Sequence, residues 1–153
     1  MRVAESLGKV LSVELSTIVH ATESLEKVET AILNVLPNQV RDPTSFSRCY
    51  LKGHHGNPIV TLTMRLAKGE AARTSVEYVF RMLSHTEKQK LDLEFERYLD
   101  EEDNFYIRLD KQEAFKGKVK LGREESIRIK IKTKKWQPTP DAAREILRNL
   151  GMV

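Results

Sequence analysis

Ile127, Ile129 and Ile131 alternate with Arg128, Lys130 and Lys132 across residues 126–136. Successive side chains of a strand point to opposite faces, so the pattern predicts a strand with one apolar and one cationic face. Charges two residues apart on such a face recur every ~6.6–6.8 Å. The apolar face requires a core, and the cationic face requires water or a polyanion. Further strands are expected over residues 10–20, 46–52, 59–66 and 104–110. Their inward positions are Leu11, Val13, Leu15 and Val19 in the first, Val60, Leu62, Met64 and Leu66 in the third, and Phe105, Ile107 and Leu109 in the fourth. Gly53-His54-His55-Gly56-Asn57-Pro58 has the turn chemistry of a hairpin joining the second and third.

Helical spacing replaces the period of two elsewhere. Leu25, Val28, Ile32, Val35 and Leu36 form one stripe, with Thr22 as N-cap and Pro37 as terminator of a helix over 23–36. Ala72, Val76, Val79, Phe80 and Leu83 predict a helix over 70–83. Thr86-Glu87-Lys88-Gln89 reads as a capping box opening a helix over 86–101, with Leu91, Phe95, Tyr98 and Leu99 as its apolar side. Thr139 as cap and Pro140 at the first helical position open a last helix, buried through Ala143, Ile146, Leu147 and Leu150 and ended by Gly151. Residues 111–123 read as irregular and lysine-rich. The expected architecture is α+β in the order β-α-β-β-α-α-β-β-α, a mostly antiparallel five-stranded sheet with helices on one face. Arg65, Tyr106, Arg108, Arg128, Lys130 and Lys132 are expected on the other face.

A chain of 153 residues suits one domain, 1–153, with residues 1–8 expected to fray. Its 40% hydrophobic and 31% charged residues, with no apolar run of ~20 residues, predict a soluble protein without a membrane span. The lone cysteine, Cys49, excludes an internal disulfide, fits a cytoplasmic setting, and is expected as a small buried hydrophobe. The net charge is only +4, but it is segregated. Residues 87–103 carry eight carboxylates against Lys88, Lys90 and Arg97, whereas residues 108–135 carry eleven cations against Asp110, Glu113, Glu124 and Glu125. Such segregation favours an anionic partner at one surface.

Candidate chemistry is sparse. Adjacent His54 and His55 could converge in a turn, but no third ligand stands at a telling spacing, and polar surface or base stacking fits them as well. No phosphate loop, nucleophile elbow or dinucleotide fingerprint occurs. Trp136 is expected to pack rather than stack on a ligand. No cofactor is expected.

His20-Ala21-Thr22-Glu23, Lys52-Gly53-His54-His55-Gly56-Asn57-Pro58-Ile59 and Ile107-Arg108-Leu109-Asp110-Lys111-Gln112 together resemble an archaeal family described as exosome-associated RNA-binding proteins. The resemblance covers about residues 10–135. It implies a fold similar to the ribosomal protein that binds the small RNA of the large subunit, archaeal origin and a cytoplasmic setting. Matching positions are Lys52, His54, His55 and Asn57 in the hairpin and Asp110, Lys111 and Gln112 after the fourth strand. The combined expectation is a non-catalytic RNA-binding protein, an accessory factor of RNA processing or degradation. Its contacts are expected from Lys52, His54, His55, Asn57, Arg108, Lys111, Gln112, Lys116, Lys118, Arg128, Lys130 and Lys132. One rival is an adaptor that docks protein subunits of an RNA-degrading complex through the acidic segment 86–101. The other is a metal-dependent hydrolase at His54/His55.

Overall fold

Five strands form one sheet in the order β2-β3-β1-β5-β4, with every ladder antiparallel. The structure, a computed structural model, describes residues 7–137 and 139–153, and for His54 the backbone. The strands are β1 (Gly8–Val19), β2 (Ser47–Lys52), β3 (Pro58–Leu66), β4 (Phe105–Asp110) and β5 (Ser126–Lys135). The helices are α1 (Leu25–Asn34), α2 (Gly69–Met82), α3 (His85–Leu93), α4 (Lys111–Phe115) and α5 (Ala142–Leu147). The α+β sequence expectation therefore holds. Of the segment expected to fray, residues 1–6 lie outside the described residues, and Gly8 already belongs to β1.

Period-two patterning decides which face is covered. Val13, Leu15, Ile107, Ile127, Ile129, Ile131, Leu62 and Met64 are buried against Val28, Ile32, Val76, Val79 and Phe80 of α1 and α2. In β1 the parity slips at an irregularity between Val10 and Ser12. Val10 is consequently buried and Leu11 is not, contrary to a plain alternation. β2 is an edge strand exposed on both faces at all six residues, so Cys49 is exposed rather than buried.

Several local boundaries differ from expectation, each for an identifiable reason. Ser24, not Thr22, caps α1 and accepts from the Lys27 amide, while the Glu23 carboxylate turns back to accept from the His20 amide. The capping box is Ser84 with Glu87. Its helix stops at Leu93 and yields to a 3₁₀ turn, Phe95–Tyr98, because Phe95 turns in to stack on Phe105 with ring centroids 4.6 Å apart. The acidic segment is thus not one continuous helix. Its Asp92 is clamped by Arg148 at 2.8 Å, and that hydrogen bond holds the carboxyl below the usual carboxylate range. The stretch after β4 is ordered too. Asp110 caps α4 through the Glu113 amide, and residues 118–122 return alongside β4 through Asp110 N–H to Lys120 O (2.8 Å) and Gly122 N–H to Arg108 O (2.9 Å). Trp136 is 48% exposed, with the Lys134 ammonium 5.6 Å from its ring centroid.

Candidate nucleic-acid interface

Strand register sets out the uncovered face. One line across the sheet reads Arg65–Glu14–Lys130–Tyr106, and the next Thr63–Ser16–Arg128–Arg108. Beyond the first line lie Ser12 opposite Lys132, then Lys9 opposite Lys134. Neighbouring strands are ~4.8 Å apart and same-face residues along a strand ~6.8 Å apart, so these cations form a two-dimensional array. Lys9, Arg65, Lys132 and Lys134 are exposed, and Arg128 and Lys130 are half-buried. None of them, nor Arg108, has a carboxylate oxygen within 4.0 Å among the described residues. Glu14 is the one carboxylate at the middle of the array.

One cation is held in place. The Arg128 guanidinium lies 5.2 Å from the Tyr106 ring centroid, and the Tyr106 hydroxyl donates to Asp100 at 2.8 Å. Burial and that hydrogen bond raise the phenol pKa. Asp100 also accepts from the Asn104 side chain and from the Asn104 and Glu102 amides. Those bonds, the Asn104 side chain first, hold its carboxyl far below the usual range. The turn before β4 therefore fixes a tyrosine, and the tyrosine fixes an arginine.

One end of the sheet gathers the three quoted sequence segments. Val19 pairs with Val60, Lys52 with Pro58, and Asp110 with Ser126. The hairpin turn, the His20–Glu23 turn and the Asp110–Gln112 corner accordingly leave from the same end. The Lys111 ammonium sits there, 6% exposed for the residue, donating to Ile18 O at 2.8 Å and to both Glu23 carboxylate oxygens at 3.1 Å. Glu125 lies 3.5 Å from it and 3.2 Å from His20. Ligating atoms of His20, Glu23 and Glu125 lie within 4.8 Å of one another, but the Lys111 ammonium already supplies the cation between the carboxylates. Glu125 adopts φ 49°, a left-handed conformation that these two contacts hold.

The expected contact residues divide into groups. Arg108, Arg128, Lys130 and Lys132 share the uncovered face. Lys111 is nearly buried, and its charge is engaged by Glu23 and Glu125. Gln112, Lys116 and Lys118 are exposed beside α1, which grips this segment through Asn34 donating to Ala114 O and Phe115 O. They lie off the cationic face. In the hairpin, Lys52 and Asn57 are exposed, His55 is at φ 64°, and only the backbone of His54 is described. Lys52 shares strand parity with Arg48, which reaches Glu29 of α1. Sequence reasoning did not single out Lys9, Arg123 or Lys134, although the last two lie in the cation-rich stretch 108–135. Lys134 continued the alternation in plain view, whereas Lys9 fell between the residues expected to fray, 1–8, and the strand expected from residue 10.

A family model described as RNA binding matches residues 12–133. A Pyrococcus abyssi protein named RNA-binding protein is 30% identical over 139 residues, 90% of each chain. An uncharacterised Methanocaldococcus jannaschii protein is 32% identical over 112 residues, 72% of this chain and 74% of that one. Among solved structures, an Archaeoglobus fulgidus protein superposes with TM-score 0.78 at 28% identity, covering 93% of this chain and 99% of that one. A protein from Methanothermobacter thermautotrophicus, described as a DUF54 protein, does so with TM-score 0.74 at 29% identity, covering 93% and 98%.

Proposed function

The chain belongs to the RNA-binding family whose model spans residues 12–133, and we propose that it binds RNA through the uncovered face of its sheet, without catalysing a reaction. The observation that carries this reading is the array of Lys9, Arg65, Arg108, Arg128, Lys130, Lys132 and Lys134, none of them ion-paired among the described residues. Leaving like charges side by side on a sheet costs stability, and a phosphate chain offsets that cost by neutralising them. Cations that engage phosphates release condensed counterions, so binding must weaken steeply with salt. Fluorescence anisotropy of a labelled RNA should show affinity falling about a hundredfold or more between 50 and 200 mM salt, for roughly four to six contacts. A change within twofold would refute an interface dominated by phosphates.

Support for a role as an accessory factor of RNA processing or degradation, in a cytoplasmic setting, comes from the family resemblance of the three segments that meet at the sheet end. The adaptor alternative rests on the acidic segment, whose helix stops at Leu93 and whose Asp92 is held by Arg148.

Glu14 supplies an internal check. It stands between Arg65 and Lys130, where a passing phosphate meets its charge. Glu14→Gln should tighten RNA binding two- to threefold, about 0.5 kcal/mol, the scale of one cross-strand charge contact. Unchanged or weaker binding would place the phosphate path away from β1.

A further inference from the structure

At the end of the array the face is concave. A depression of about 390 Å³ is lined by Arg108, Arg123 and Arg128, by Lys111, and by the carboxylates Glu124 and Glu125; Ser16 and Ser126 line it too. Arg108 and Arg128 are direct cross-strand partners, a like-charge pair that costs stability if nothing lies between. Among the described residues the Arg108 side chain makes a single hydrogen bond, a long one of 3.5 Å to the Ser126 hydroxyl. Arg128 has only the Tyr106 ring beneath it. Arg123 has no partner among the described residues.

Arg123 is brought there by a close backbone approach. A Cβ on Gly122 would lie 2.8 Å from the Asp110 backbone, so only glycine lets residues 118–122 lie flat against β4 and deliver the next side chain beside Arg108. Of the two carboxylates that line the depression, Glu125 is engaged by Lys111 and His20, and Glu124 makes no ion pair among the described residues. Three arginines thus line one small concavity with two serines, and neither Glu124 nor Glu125 pairs with any of the three among the described residues. Guanidinium forks match the geometry of phosphate oxygens and bind them bidentately.

We infer that Arg108, Arg123 and Arg128 form a pocket that seats a single phosphate group and anchors one point of an RNA strand. That the phosphate belongs to RNA rests on the reading above; the pocket's affinity for phosphate does not. Two sources share this chemistry, a terminal phosphate of an RNA chain and an internal phosphodiester.

The test uses the whole chain, with inorganic phosphate and RNA dodecamers ending in hydroxyl, 5′-phosphate or 3′-phosphate. Inorganic phosphate should shift the Nε–H resonances of the three arginines together, with an affinity that Arg123→Ala lowers at least tenfold. Arg123→Lys, which keeps the charge but loses the fork, should recover little of it. A terminal source predicts at least tenfold tighter binding of one phosphorylated dodecamer, lost in Arg123→Ala. An internal source predicts equal affinities for all three, each weakened about fivefold or more by Arg123→Ala. If Arg123→Ala binds phosphate as the native chain does, the pocket is refuted, while salt-dependent RNA binding can still stand. If phosphate binds at the trio but no RNA binds, the pocket stands as an anion site and the RNA reading falls.

Discussion

Replacing Arg128, Lys130 and Lys132 together by alanine should flatten the plot of log affinity against log salt by about two to three units of slope. Each lost phosphate contact removes roughly 0.7 to 0.9 of slope, depending on whether the strand is single or paired. At 0.1 M salt that corresponds to about a hundredfold weaker binding or more. The three side chains emerge from one strand whose opposite face is Ile127, Ile129 and Ile131, all buried. The substitutions therefore leave the core untouched, and circular dichroism should show a native fold. Lys116→Ala with Lys118→Ala is the matched control. It removes two exposed cations from the side facing α1 and should leave the slope unchanged. A slope equal to that of the native chain in the triple variant would remove β5 from the interface. A slope lowered equally by the control pair would mean that net charge, rather than the array, drives binding.

The contrast between those two sets of lysines bears on what the sequence could reveal. Alternation along β5 was sufficient to place Arg128, Lys130 and Lys132 on one face, because a period of two is a local property of the chain. Helix stripes such as Ala72, Val76, Val79 and Phe80 were legible for the same reason. Lys116 and Lys118 have no comparable periodicity, and their side of the molecule is fixed by Asn34, some 80 positions earlier in the chain. The N-cap of α1 shows the same divide. Thr22 and Ser24 both have capping chemistry, and the choice follows from Glu23 turning toward Lys111, 88 residues away. The arginine trio was invisible for a related reason. Arg123 joins Arg108 only because Gly122 admits the Asp110 backbone, a contact that leaves no pattern in spacing or composition. Cys49 reads as a buried strand residue unless the strand order is known, and order depends on all five strands at once.

Lys111→Ala should lower stability by roughly 3 kcal/mol, at the low end of the cost of breaking a buried ion pair. The low end applies because the Glu23 side chain keeps 27% of its exposure, so its orphaned carboxylate recovers part of its hydration. For a chain of this size that loss corresponds to a melting temperature about 6–12 °C lower. Lys111 also satisfies the Ile18 carbonyl at 2.8 Å, which ties the end of β1 to the start of α4 across 93 positions of sequence. Lys111→Met keeps the buried stem and removes only the charge, so its cost should fall below that of alanine. A double-mutant cycle with Glu23→Gln should return a coupling of about 1 kcal/mol or more, as residues in one buried network do. Melting within 2 °C of the native chain in Lys111→Ala would show that the pair carries no net stability. The same variant also separates anchoring from packing. Without its lysine partner, Glu125 is held only by His20 at 3.2 Å and is free to turn toward the arginines that line the same depression, Arg123 two positions before it among them. Inorganic phosphate should then bind the trio more weakly even where the fold survives, since the carboxylate competes for the same guanidinium forks.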